Sequence, residues 1–248
     1  FVSWALMGAL VIKQGNMSKA LRSGWKTAAW AGLMNPVAYY LVLFAAYDRL
    51  PGQEAMALNY TWALAMAFLA VPLLGQRLTR IDIVAGFVAY AGVWVIATRG
   101  SVFNVSFADP LGVVLALAST LLWALYWLLN ARDKRQPLVG QWQNFSVGLP
   151  VLTVLLLLGP GVQWHGWPAF GAGVYVGLFE MGVAFILWQL AVHQVSRTAK
   201  VSNLIFLSPP VSLFLLYLVV GEPILPSTLV GLVLILLGLG LQQAQKSS

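Results

Sequence analysis

The feature that most limits what this chain can fold into is a series of apolar runs, each roughly 18 to 23 residues long, separated by short polar breaks. About 20 helical residues cross the hydrocarbon core of a bilayer. Charged residues make up only 8% of the 248 positions, where a soluble domain carries about 25%, so the polar surface is too small to cover a water-facing globule. The bulk solvent is lipid. A membrane β-barrel would need alternating strands of about ten residues, and none is visible. The fold class is therefore an all-α polytopic membrane protein.

Nine spans are read, near 1–14, 25–47, 54–74, 83–98, 111–130, 141–159, 169–195, 201–220 and 225–241. Two segments share an outline. Around Gly75 one apolar run ends and another begins, and the same happens around Gly221-Glu222-Pro223. A fixed shift of 146 positions places Leu58 on Leu204, Phe68 on Phe214, Leu69 on Leu215, Gly75 on Gly221, Val84 on Val230 and Gly92 on Gly238. Turns and glycines stay in register, which chance apolar similarity does not require. The span at 111–130 then lacks a partner, so a further helix is expected upstream, and the nine spans become numbers 2 to 10 of ten. Phe1 already lies inside an apolar run, and neither an initiator methionine nor a signal peptide precedes it. An odd number of crossings per copy inserts the second copy upside down, giving two inverted five-helix repeats over 1–100 and 108–245.

Charge sets the orientation. Lys13, Lys19, Arg22, Lys26, Arg77, Arg80, Arg132, Lys134, Arg135, Arg197, Lys200 and Lys246 fall on one side of these spans, and only Arg49 and Arg99 on the other. That asymmetry puts the first group, and both termini, in the cytoplasm. The net charge of +7 is thus a marker of topology and not of nucleic-acid binding. A bacterial inner membrane is the expected location. Turn residues agree, because Pro51-Gly52, Asp109-Pro110 and Gly159-Pro160-Gly161 all sit in breaks. Trp164, His165 and Trp167 flank an outer loop as part of an interfacial aromatic belt.

Catalysis finds little support. The chain has no cysteine and two histidines, His165 and His193, with no acid spaced to share a metal. It has no phosphate-binding glycine loop, so neither ATP nor another cofactor is implied.

Glu180 is the one ionisable residue near the middle of a span, where a carboxylate is costly unless partnered, hydrated or protonated. Three roles remain open to it: proton carrier, partner of a substrate ammonium, or a neutral acid bonded to a neighbouring helix. No lysine or arginine lies deep in a span, which disfavours anionic substrates. Tyr39, Tyr40, Tyr60, Trp62, Trp123, Tyr126 and Trp127 are aromatic candidates for a cavity wall, and lipid-facing or packing roles compete equally. Ser119, Trp123, Tyr126 and Asn130 recur at helical spacing and form one stripe. Asn59, Asn203 and Ser208 lie in the repeat-related spans, Ser208 just before the helix-interrupting Pro209-Pro210. Gly173 and Gly177 have the spacing that permits close helix contact.

The pattern of a proline, then Gly-Glu, then a glycine-bearing helix is present at Pro209, Gly221, Glu222, Gly231 and Gly238. With it the chain resembles the drug/metabolite transporter superfamily, specifically ten-helix exporters with two EamA-type repeats. The first half departs from the pattern at Ala63, Gln76 and Ala85, and keeps Gly75 and Gly92. Asn59-Tyr60-Thr61-Trp62 resembles a stretch of the aromatic amino acid exporters. The resemblance implies alternating access through a central cavity lined by helices 1, 3, 4, 6, 8 and 9. The expected function is export of small amphipathic metabolites, foremost aromatic or large apolar amino acids, with protons as a candidate coupling ion. Multidrug export of lipophilic cations is the alternative, and a channel or scaffold is the alternative of a different class.

Overall fold

The computed structural model describes residues 1–50, 55, 58–98, 100–103, 109–159, 164–194, 204–208, 211, 218 and 225–244. No strand occurs among them. Lipid offers no partner to a backbone N–H or C=O, and a helix satisfies both within its own segment. The helices are α1 (Val2–Lys13), α2 (Met17–Arg22), α3 (Trp25–Gly32), α4 (Tyr39–Tyr47), α5 (Trp62–Leu74) and α6 (Arg80–Ala97). They continue with α7 (Pro110–Ala131), α8 (Pro137–Leu158), α9 (Gly166–Tyr175), α10 (Phe185–Gln194) and α11 (Pro226–Ala244). Wider turns over Leu33–Ala38 and Val176–Ala184 join α3 to α4 and α9 to α10. Trp25–Tyr47, Pro110–Ala131, Pro137–Leu158 and Gly166–Ala191 are each long and apolar enough to cross a membrane. This is an all-α polytopic membrane protein.

Most expected spans appear as helices within a few residues. The 54–74 span has its helix at Trp62–Leu74, preceded by helical residues at Ala55, Leu58 and Asn59. Of the 201–220 span, the described part is Leu204 to Ser208, with a short tight turn at Ile205–Leu207, and Val211 and Leu218. Gly221, Glu222, Asn203 and Pro209-Pro210 lie outside the described residues.

The chain forms two compact units. The first comprises Phe1–Leu41 and Leu129–Gln194, and the second Val42–Leu128 and Val195–Ser248. Each unit therefore mixes segments from both halves of the sequence.

In the first unit, small residues let helices approach. A side chain at Gly8 would meet the Trp142 indole on α8, and one at Gly32 would meet the Asn144 carbonyl. The rings of Trp4 and Trp142 stack with centroids 6.3 Å apart, and Trp4 Nε1 donates to Ser146 Oγ at 2.8 Å. Gly177 packs against Val2 and Gly182 against Leu6, which brings α1 onto the Val176–Ala184 turn. Of the expected close-contact glycines, Gly177 fits. At Gly173 no described residue lies within 4 Å of where its Cβ would be.

The second unit is centred on α6 and α11. Their starts are made differently. Thr79 and Asp82 form a reciprocal capping box, with Thr79 N donating to Asp82 Oδ2 at 3.0 Å and Asp82 N to Thr79 Oγ1 at 3.2 Å. At α11, Pro226 takes the first helical position, where its missing N–H costs nothing. The 146-residue shift carries Arg80–Ala97 onto 226–243, so the two helices correspond along their whole length. They also pack on one another. A Cβ on Gly92 would lie 2.5 Å from the Gly231 carbonyl and 2.8 Å from Ile235, and one on Gly238 would lie 2.7 Å from the Ala85 carbonyl and 2.9 Å from the Ala89 side chain. The shift converts the first set of contacts into the second: Gly92 becomes Gly238, and Ala85 and Ala89 become Gly231 and Ile235. As residue numbers fall from 92 to 85 on α6 they rise from 231 to 238 on α11, so the helices run antiparallel. Two copies of one unit that meet through the same patch in opposite directions are related by a twofold operation, as an inverted repeat requires.

A second contact closes the far end of this unit. Asp109 accepts from the N–H groups of Leu111 and Gly112 at 2.8 and 3.2 Å, which caps α7, and Arg49 Nη1 donates to its other oxygen at 3.0 Å. Gly112 lies against Arg49 and Leu50, and behind it Ala46, Leu50, Ala55, Leu58 and Ala116 form a small apolar cluster. The hydrogen bond from Arg49, followed by that from the Gly112 N–H, holds the Asp109 carboxyl below its ordinary value.

Two expectations follow. Gly92→Val and Gly238→Val each lower stability by about 1–3 kcal/mol through the same overpacking, whereas Gly240→Val, which meets no described residue, does not; thermal unfolding in detergent checks this. Because the folded Asp109 carboxyl titrates lower than the unfolded one, its contribution is present above the unfolded pKa and is lost as pH falls through the folded value. The Tm difference between wild type and Asp109→Ala is therefore largest near neutral pH and shrinks on acidification.

Candidate functional site

In the second unit, four sequence-predicted aromatics, Trp62, Trp123, Trp127 and Tyr126, form a chain of ring contacts. Trp62 and Trp123 have ring centroids 6.3 Å apart at 75°, Trp123 and Trp127 5.7 Å apart at 81°, and Tyr126 and Trp127 5.0 Å apart at 68°. Edge-to-face contacts of this kind align positive ring edges with negative ring faces. Trp62, Tyr126 and Trp127 are buried and Trp123 is half-buried. One face of α7 also carries Thr120, whose hydroxyl lies 3.4 Å from that of Thr61.

The polar candidates divide. Tyr60 and Ser208 share a side-chain hydrogen bond, which joins the two repeat-related spans. Ser119 is fully buried and donates to the Ala116 carbonyl at 2.7 Å, a bond internal to its own helix. Asn59 Nδ2 is buried and meets no acceptor among the described residues. Asn130, the last member of the α7 stripe, belongs to the first unit and accepts from Asn144 Nδ2 at 3.4 Å. Asn203 lies outside the described residues.

The first unit contains Tyr39, Tyr40 and Glu180. Tyr39 and Tyr40 pack edge-on at 4.9 Å at the start of α4. They follow a break: Asn35 is extended, at φ −143 and ψ 119, as the residue before a proline tends to be, and Pro36 interrupts the helical ladder. Shifted by 146, Leu33–Ala38 falls on 179–184, inside the wide turn at Val176–Ala184 that carries Glu180. Both copies are therefore irregular at the same place. Glu180 is exposed on this unit. Asn35 is fully buried, and neither atom of its amide has a hydrogen-bond partner among the described residues.

Asn35 was not among the sequence candidates. Its signal was an Asn-Pro pair inside an apolar run, set against Glu180 one position short of the matching place in the second copy. An unsatisfied buried amide costs about 1–3 kcal/mol and is retained where something else uses it. Matched interruptions in the two halves of an inverted repeat are where transporters build binding sites, since the freed backbone groups and nearby side chains line a cavity.

Apolar helices that cross the bilayer, related copies meeting in opposite directions and matched helix breaks together define a multi-pass membrane transporter. The chain belongs to the EamA-like transporter family, which it matches over residues 1–98 and 110–242. It is 28% identical over 211 residues to a probable terminal-alkyne amino-acid exporter of Streptantibioticus cattleyicolor, covering 82% of this chain and 68% of that one. It is 23% identical over 240 residues to the uncharacterized transporter YyaM of Bacillus subtilis, covering 92% and 76%. A solved crystal structure at 21% identity superposes with a TM-score of 0.85 over 100% of this chain and 86% of that one, which shows the fold.

Asn35→Ala removes an amide that has no protein partner among the described residues, so it is expected to leave Tm unchanged or raised while lowering transport. Equal loss of stability and transport would make Asn35 a packing residue; Tm and solute flux on the same preparation distinguish the two.

Proposed function

We propose that this transporter exports small amphipathic metabolites by alternating access, with amino acids bearing aromatic or large apolar side chains as the substrate class. The observation that carries the reading is the Trp62–Trp123–Tyr126–Trp127 cluster, an aromatic wall of the kind that takes an apolar side chain or a substrate ammonium, in which Trp123 is half-buried. The amino-acid exporter among its relatives supports the same class. In this reading the two inverted copies rock around the site, the arginine- and lysine-rich loops face the cytoplasm of a bacterial cell, and the protein sits in its inner membrane. Glu180, exposed within a helix irregularity, is the residue we assign to proton coupling. The same exposed acid at a helix irregularity also favours a second reading, export of lipophilic cations.

Counterflow in proteoliposomes separates these readings. Vesicles preloaded with phenylalanine, methionine, threonine or a lipophilic cation are expected to show saturable exchange of the aromatic and large apolar amino acids; exchange of the cation alone would replace this reading with the second. Linear, unsaturated flux would indicate a channel. Trp123→Ala is expected to weaken apparent affinity about fivefold, corresponding to about 1 kcal/mol for one aromatic contact, with little change in Tm. Glu180→Gln is expected to abolish dependence on a pH gradient while exchange persists, and unchanged coupling would remove Glu180 from that role.

A further inference from the structure

The first unit also holds a cavity of about 590 Å³ whose rim carries Lys19, Arg132, Lys134 and Arg135 and one acid, Asp133. A positive loop alone is a topological marker and implies no ligand. Three features here go beyond charge. First, the cations are not equivalent. Arg135 is fixed: its Nε donates to Asp133 Oδ2 at 2.7 Å, Nη1 to Gln143 Oε1 at 2.9 Å and Nη2 to Asn144 Oδ1 at 3.0 Å. Gln143 in turn donates to the carbonyls of Ala20 and Ser23, which ties the α2–α3 connection to α8. Lys19, Arg132 and Lys134 are exposed, and none is in an ion pair among the described residues. The one acid is already committed to Arg135, so three positive charges remain uncompensated.

Second, two helices begin at the cavity. Thr27 lies in the first turn of α3 and Val139 in the first turn of α8, and neither helix has a side-chain cap. The unsatisfied N–H groups of a helix start carry partial positive charge. Third, the lining is graded. Trp30 lies inside the Trp25–Tyr47 span and Leu129 inside Pro110–Ala131, whereas the cations lie in the connections outside these spans. One wall is therefore apolar and on the bilayer side, and the opposite rim is cationic and on the aqueous side.

We propose that this cavity binds a phosphate-bearing anion, and the apolar wall at Trp30 and Leu129 favours the headgroup of an anionic phospholipid over a soluble phosphate. The phosphate is held by Lys19, Arg132 and Lys134 and the two helix starts, and the glycerol and upper acyl segment lie along the apolar wall. Arg135 is the positioning residue that keeps the cavity open. The cavity shares no lining residue with the aromatic cluster, and the proposal does not depend on the transported substrate. Basic pockets between transmembrane helices recognise lipid headgroups by this combination of charge and depth.

The test uses the full chain in nanodiscs of phosphatidylcholine alone or mixed with phosphatidylglycerol, read by Tm and by the lipid retained in native mass spectrometry. Wild type is expected to gain Tm with phosphatidylglycerol and to retain it selectively, with both effects lost at high salt. Lys19→Gln, Arg132→Gln and Lys134→Gln are each expected to weaken retention about fivefold. All three side chains are exposed, so the single variants are expected to fold if the triple does not, and each can be read alone. Glycerol 3-phosphate added to phosphatidylcholine nanodiscs separates the sources. Stabilisation by it equal to that of the lipid would make the ligand a soluble phosphate. No preference for phosphatidylglycerol and no effect of glycerol 3-phosphate on wild type would overturn the proposal, as would full retention of the lipid effect in the three variants.

Discussion

The contact between α6 and α11 is the interaction on which the rest of the second unit depends. In lipid no hydrophobic force drives one helix onto another, so association rests on how closely backbones can approach. Gly92, Gly231 and Gly238 remove the side chains that would keep these helices apart, and Ala85 and Ala89 complete the same surface. Since the two helices are copies, one small-residue patch serves twice, and a single sequence solution gives a self-complementary joint. The antiparallel direction follows from the same contacts.

A helix pair packed so tightly cannot also supply the loosened backbone that a transported solute needs. The irregularity is found elsewhere, at Asn35–Pro36 and across Val176–Ala184, in segments that the repeat superposes. Broken backbone at membrane depth persists only where protein or water satisfies it. The described residues thus divide the labour: glycine contacts hold the copies together, and the matched breaks carry polar side chains, buried at Asn35 and exposed at Glu180. Asn35 and Glu180 give the two breaks different chemistry, so the copies share geometry without sharing residues.

Much of the fold was legible because the bilayer fixes both the length and the polarity of a crossing. Hydropathy located the helices from Val2–Lys13 to Pro226–Ala244, and a register anchored on a few glycines predicted which helices correspond. What sequence could not supply was the state of individual side chains. Ser119 has helical spacing with Trp123 and Tyr126, yet its hydroxyl is spent on its own backbone. Gly173 and Gly177 share a motif, and among the described residues one of them makes the contact. Rotation about the helix axis decides such cases, and apolar runs without strong amphipathicity do not encode it. The short α2 helix, Met17–Arg22, and Arg135, which bonds to Gln143 on α8, lie in connections, where hydropathy carries no signal.

The central claim is that two related copies of one helical unit are inserted in opposite directions. The chain has no cysteine, so single cysteines report without background. Arg77 and Leu225 lie just before the starts of α6 and α11, and both are exposed. Labelling Arg77→Cys and Leu225→Cys in intact cells and in inverted vesicles with a membrane-impermeant maleimide measures the side on which each helix begins. Labelling from opposite sides is the predicted result, with Arg77→Cys reached from the cytoplasmic face. Labelling of both from the same side would contradict the inverted repeat and, with it, the matched breaks from which the site is read.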